Sequence, residues 1–341
     1  MRPLTEREAA VLTAVVHVHT ETAEPVGSRT ISRQYLAGLS PATVRNTMMD
    51  LAELGLLSQP HTSAGREPTV EGYRYYITAL MEPPHLLRTD RTVLDQLLRE
   101  RMAAWDEDTI LTHVARALAR VSHLVTVAFL PSFDMGVLER IDLVPLSDSR
   151  ILVVLQLRDG PVDTLTLELS ERMRRELLPE TVQTLNERLS GLTVGEIRRT
   201  IGERLKDVSR GDREVVKVFL REGQNIFDVD ARVGVHLEGR INIMNQPEFS
   251  DHARLAALMQ ALDELSLVQE LRRRVQGRRV EITIGPENRI SALSPCSLLT
   301  RGYGVGSLSG TLAIIGPMRM PYARLVAALE HAGTVAEQLL S

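Results

Sequence analysis

The residues best suited to chemistry lie between Arg29 and Arg74, and the chemistry they suit is hydrogen bonding to a duplex rather than bond making. Arg45 and Asn46 are adjacent. An arginine fork matches the O6/N7 edge of guanine, a carboxamide matches the N6/N7 edge of adenine, and a small side chain such as Ala42 can lie against a thymine methyl. Met49 shares the helical face of these three. Ser40, Thr43, Thr62 and Ser63 are hydroxyl donors for phosphate oxygens, and His61, Gly65 and Arg66 complete a polar turn whose arginine can anchor on the backbone or in a minor groove. Arg29 upstream, and Tyr73 with Arg74 downstream, are the remaining phosphate candidates.

Such residues work only if regular elements hold them. Ser40-Pro41 reads as a helix N-cap followed by proline at the first helical position, where the missing N–H costs nothing. Val44, Met48 and Leu51 recur at i, i+4 and i+7 and form one apolar stripe, so Ala42, Arg45, Asn46 and Met49 face outward. Gly55 stops the helix, residues 56–60 read as a short strand, and the turn from His61 closes at Glu67-Pro68. Ahead of this, residues 4–20 read as a helix with a Thr5/Glu8 capping box, and Ser28 caps a short helix carrying Arg29 and Arg33. Thr69 caps a further helix that returns to the domain before Glu82-Pro83-Pro84, the clearest linker in the chain. The outline is that of a recognition helix and its wing.

Charge runs against this outline. The chain is net −4, and residues 1–82 hold seven Arg and no Lys against nine Asp and Glu. A basic footprint is missing, which predicts few phosphate contacts from placed groups and weak non-specific binding. Other chemistry is poorly supported. Gly302-x-Gly304-x-Gly306 has its third glycine one residue too early for a dinucleotide loop and reads as a glycine-rich hairpin. The single cysteine, Cys296, excludes an internal disulfide and a cysteine zinc cluster, and no histidine or basic cluster near it in sequence would activate the thiol. His17 and His19 lie on different faces of their helix, and the other histidines lack ligand spacing. No catalytic residue, metal or cofactor is expected. No apolar run nears the ~18 residues of a membrane span, and a cytoplasmic location is the expectation.

PVGSRT at 25–30, LSPATVRN at 39–46 and QPHTSAGREPTVEGYRYY at 59–76 resemble the N-terminal domain of HrcA-type heat-inducible transcription repressors. LEGRINIMNQPEFSD at 237–251 and IGPMRMPYARL at 315–325 are similar to that family's C-terminal blocks. The resemblance implies a homodimeric repressor on the inverted-repeat operator of chaperone operons, with activity lost on heat stress and restored by chaperonin as modulator. It also implies an α+β multidomain fold: an N-terminal winged helix-turn-helix and a GAF-like mixed α/β domain carrying an inserted, mainly helical dimerisation domain.

The rest of the pattern is divided accordingly. Residues 1–82 form the winged-helix domain and 83–106 a linker and connecting helix; 107–169 and 230–341 form the two parts of the GAF-like domain, with 170–229 inserted. Strand-like runs at 124–130, 137–145, 150–157 and 162–169 suggest an antiparallel meander, and helices are expected at 172–189 and 194–207. Strands resume at 231–244, 279–285, 297–304 and 307–316, with helices at 250–275 and 320–339. Because GAF-like folds can hold a small ligand, the alternative is a winged-helix regulator that senses one; residues 282–296 and 303–315 would line its pocket, or simply fill the core.

Overall fold

The computed structural model describes residues 2–61, 65–100, 106–132, 136–158, 162–227, 235–263, 267, 270–271, 277–305 and 308–340. Two compact units emerge: residues 1–128, 236–302 and 311–339 in one, and 129–235 with 303–310 and 340–341 in the other.

The first unit begins with α1 (Glu6–Thr22), whose capping box has both halves in place: Glu8 N–H donates to Thr5 Oγ1, and the Glu8 carboxylate accepts from the Thr5 N–H at 2.8 Å. Val11, Leu12, Val15 and Val16 are buried to 1% exposure or less. α2 (Ser28–Gln34) is capped by Gly27 rather than Ser28, with no side-chain cap bond. α3 (Pro41–Glu53) follows, then the two-residue strands β1 (Leu57–Ser58) and β2 (Glu67–Pro68), which pair antiparallel with Leu57 opposite Pro68. α4 (Val70–Tyr75) runs on into a π turn, Tyr76–Leu80. α5 (Arg88–Glu100) packs on α6 (Glu107–Ser122), with Leu94 and Leu97 buried.

β3 (Val125–Ser132) leaves the expected meander. It is an inner, non-edge strand of a five-stranded sheet, which suits its unbroken buried run from Val125 to Phe129. The meander is three-stranded: β4 (Leu138–Pro145), β5 (Arg150–Leu157) and β6 (Val162–Glu168), antiparallel throughout. It shares one core with α7 (Leu178–Leu189), α8 (Val194–Leu205) and α9 (Arg213–Ile226). The second unit therefore starts near Phe129, not at 170, and is α+β rather than mainly helical. Asn186 clamps α7 to β4, accepting the Ile141 N–H and donating to the Ile141 carbonyl, both at 2.8 Å. α9 lies beyond the helices expected at 172–189 and 194–207; it buries a stripe of Val215, Val218, Phe219 and Ile226, and buried Asp212 caps it.

The chain returns to the first unit with β7 (Val235–Glu238). The long strand expected over 231–244 ends here, because Gly239 adopts φ +78 and α10 (Arg240–Met244) follows. Only glycine holds that left-handed turn without strain. After α11 (His252–Asp263), strands β8 (Glu281–Ile284), β9 (Cys296–Val305) and β10 (Leu308–Pro317) complete the sheet in the order β7-β3-β10-β9-β8, and α12 (Tyr322–Leu340) closes the chain. Gly302 and Gly304 lie within β9, next to β10 in the sheet, and Gly306 lies outside the described residues. Cys296 is fully buried, and burial pushes its thiol up to about 12, so it stays protonated and inert. Among the described residues, no helix is long and apolar enough to cross a membrane.

Candidate nucleic-acid interface

α3 is fixed from beneath. Val44, Met48 and Leu51 are buried against the domain, and Thr47, also buried, spends its hydroxyl on the Thr43 carbonyl at 3.1 Å. The opposite face carries Ala42, Arg45, Asn46 and Met49, all exposed. Among the described residues, neither Arg45 nor Asn46 makes an ion pair or a side-chain hydrogen bond. A guanidinium and a carboxamide held by a rigid helix with their donors unspent can meet base edges without first breaking an internal bond.

The N-terminus of α3 carries two hydroxyls, Ser40 and Thr43. Ser40 Oγ accepts the Thr43 N–H at 3.1 Å and lies 2.9 Å from Thr43 Oγ1. One hydroxyl proton is used between the two side chains, so the other remains for an oxyanion at a positive helix end. Arg29 is exposed on α2, the helix that precedes α3.

The wing is tied to the helical part by a backbone bridge. Val26 N–H donates to the Arg66 carbonyl at 2.8 Å, and Arg66 N–H to the Val26 carbonyl at 2.9 Å. This explains Gly65: a Cβ there would stand 2.3 Å from the Val26 oxygen. Arg66 thus occupies the base of the wing rather than its tip. His61 is exposed at the other end of the turn, and Thr62 and Ser63 lie outside the described residues.

Tyr73 and Arg74 are not brought to this face. Tyr73 is 1% exposed; its hydroxyl lies 2.7 Å from His19 Nδ1 and its ring packs against Tyr322 of α12 at 6.2 Å. Burial drives its hydroxyl pKa upward. Arg74 donates to the Ile282 carbonyl at 2.9 Å and pairs with Glu287. Both belong to the seam between the N-terminal helices and the β8–α12 region, to which Arg319 adds a hydrogen bond to the Thr20 carbonyl at 3.2 Å. The expected phosphate role fails because the partners, Ile282, Glu287 and Tyr322, lie more than two hundred residues downstream in sequence. His17 pairs with the Tyr76 hydroxyl at 3.0 Å, so both histidines of α1 serve packing.

A three-helix head, a capped helix with an open polar face and a short two-stranded wing define a winged-helix DNA-binding module. Residues 3–80 match the family described as winged helix-turn-helix transcription repressor, HrcA DNA-binding, and residues 108–326 match the HrcA protein C terminal domain. The chain belongs to the HrcA family of heat-inducible transcription repressors, a family of DNA-binding regulators rather than enzymes. It is 37% identical to the heat-inducible transcription repressor HrcA of Chlorobium phaeobacteroides over 95% of this chain and 94% of that one. The HrcA proteins of Shouchella clausii and Moorella thermoacetica are 35% and 33% identical, each covered to 94% or more. Among solved structures, a hypothetical protein shares the fold at a TM-score of 0.60 and 22% identity, covering 99% of both chains.

Proposed function

We propose that the chain acts as a homodimer that presents two winged helices to an inverted-repeat operator ahead of chaperone operons, with half-sites about one or two helical turns apart. The observation that carries this reading is the open outer face of α3, where Arg45 and Asn46 are exposed on a helix anchored by Val44, Met48 and Leu51. In the complex Arg45 reads guanine, Asn46 reads adenine, and Ala42 with Met49 makes apolar contact in the major groove. Ser40, Thr43 and Arg29 hold phosphates, and the turn from His61 to Arg66 lies along the adjoining backbone.

Heat control follows from marginal stability. A repressor whose folded fraction falls on heating loses operator occupancy by mass action, and a chaperonin that returns chains to the folded pool restores it. The second unit, with a core of its own, is the proposed dimerising part, and the sheet-bearing remainder of the first unit is the proposed GAF-like part.

The test is a titration of duplex from upstream of the organism's chaperone operons against scrambled duplex, at two salt concentrations, with and without chaperonin. Preference for the native duplex, a shallow salt slope and a larger active fraction with chaperonin are expected. Equal, steeply salt-dependent binding to both duplexes would overturn the base-reading role of Arg45 and Asn46.

A further inference from the structure

Arg301 is the least expected charge in the molecule. It sits within β9 near the buried Leu298, Leu299 and Tyr303, and its side chain is 7% exposed. Its Nη2 lies 4.0 Å from Glu337 Oε1, beyond hydrogen-bond distance, and its Nε and Nη1 have no hydrogen-bond partner. A guanidinium does not give up its proton, so burying it with unmet donors is costly unless something meets them. α12 makes room for it: a Cβ at Gly333 would stand 1.4 Å from Arg301 Nη1. Glycine inside a 19-residue helix weakens that helix, and here the vacated space holds the guanidinium.

Beside Arg301 lies an open cleft of about 440 Å³. Its polar walls include Arg91 of α5, Arg278, and Glu330, His331 and Thr334 of α12. Three of these are engaged: Arg278 pairs with Glu337 at 3.1 Å, His331 with Asp95 at 2.5 Å, and the Thr334 hydroxyl donates to the Glu330 carbonyl at 3.1 Å. Glu337 is therefore shared by two arginines, and the Arg301 charge is only partly compensated. Arg91 adds a further cation at the mouth.

We propose that this cleft binds a small molecule through an oxyanion, a phosphate or carboxylate group, seated against the Arg301 guanidinium and covered by Arg91. Glu330 on the same wall favours a ligand that carries a hydrogen-bond donor beside its oxyanion, as a protonated phosphate does. The site uses none of the residues assigned to DNA, so its failure would leave the repressor reading intact.

The test is calorimetric titration of the full chain with inorganic phosphate and, separately, with succinate, at an ionic strength held constant with sodium chloride. One saturable site for at least one anion is expected, and which anion binds tells a phosphoryl from a carboxylate ligand. Arg91→Ala, at the mouth, should weaken binding about five-fold or more, as for loss of one charge-assisted hydrogen bond. Arg301→Met should abolish it, and Gly333→Ala, which expels the guanidinium without removing a charge, should weaken it. If Arg301→Met does not fold, the other two variants decide. No saturable binding of either anion overturns the proposal, and so does an affinity that the substitutions leave unchanged.

Discussion

Arg45 and Asn46 gain their importance from what they do not touch. Each is exposed on a helix whose other face is locked, so replacement removes a donor set without loosening the fold. Arg45→Ala should weaken cognate binding by about 1–3 kcal/mol and relax the preference at one base pair, as measured by competition against single-base operator variants. Uniform weakening on all sequences would instead make Arg45 a phosphate contact. Arg29 and Arg74 provide a contrast at the same scale. Arg29→Ala should reduce the slope of log affinity against log salt by about 1, whereas Arg74→Ala should leave that slope unchanged, because its guanidinium is already spent on Glu287 and the Ile282 carbonyl. A changed slope in the Arg74 variant would return that residue to the DNA face.

The elements depend on a few local devices that can be broken singly. Gly65→Ala places a Cβ against the Val26 carbonyl and must break the two-bond bridge that ties the wing to the head. A loss of about 1–3 kcal/mol is expected, read as a lower urea midpoint with an unchanged slope. The start of α1 responds to acid. The Arg2 guanidinium at 2.6 Å, and then the Thr5 N–H, hold the Glu8 carboxyl down at about 2 from an ordinary 4.5. A carboxyl lowered on folding stabilises the fold above its unfolded value and loses that contribution as pH falls toward its folded value. Thermal stability should therefore decline as pH drops from about 4.5 to about 2. Glu8→Gln should flatten that decline, and an unchanged acid profile would show that Glu8 does not control it.

At the scale of the molecule, two units with separate cores make a single all-or-none transition an unsafe expectation. Calorimetric melting of the full chain should give a van't Hoff enthalpy below the calorimetric one, and equality of the two would mean that the units unfold together. This bears on heat control, since a unit that opens first would set the temperature at which operator occupancy falls.

Much of the head was legible in sequence because its determinants are local. Ser40 with Pro41, the Thr5/Glu8 box and the Val44–Met48–Leu51 stripe act within one or two turns of a helix, so spacing alone carries them. The exposed face of α3 followed from that stripe by geometry. Other features depend on partners distant in sequence. Tyr73 and Arg74 read as surface groups until Tyr322 and Glu287 came up against them. β3 read as part of a meander, although its continuous apolar run already suited a strand covered on both faces. Arg301 lay within an apolar strand and Gly333 within a helix, and neither had an evident reason until the guanidinium was seen in the space the glycine leaves. Periodicity, caps and turn residues by themselves determined the helices of the head, the two wing strands and the exposed face of α3. Tertiary structure decided which polar groups were consumed at the seam with the C-terminal strands and which remained buried and unmet, because the energy of a polar group is set by whatever folds against it, and chain spacing does not encode that.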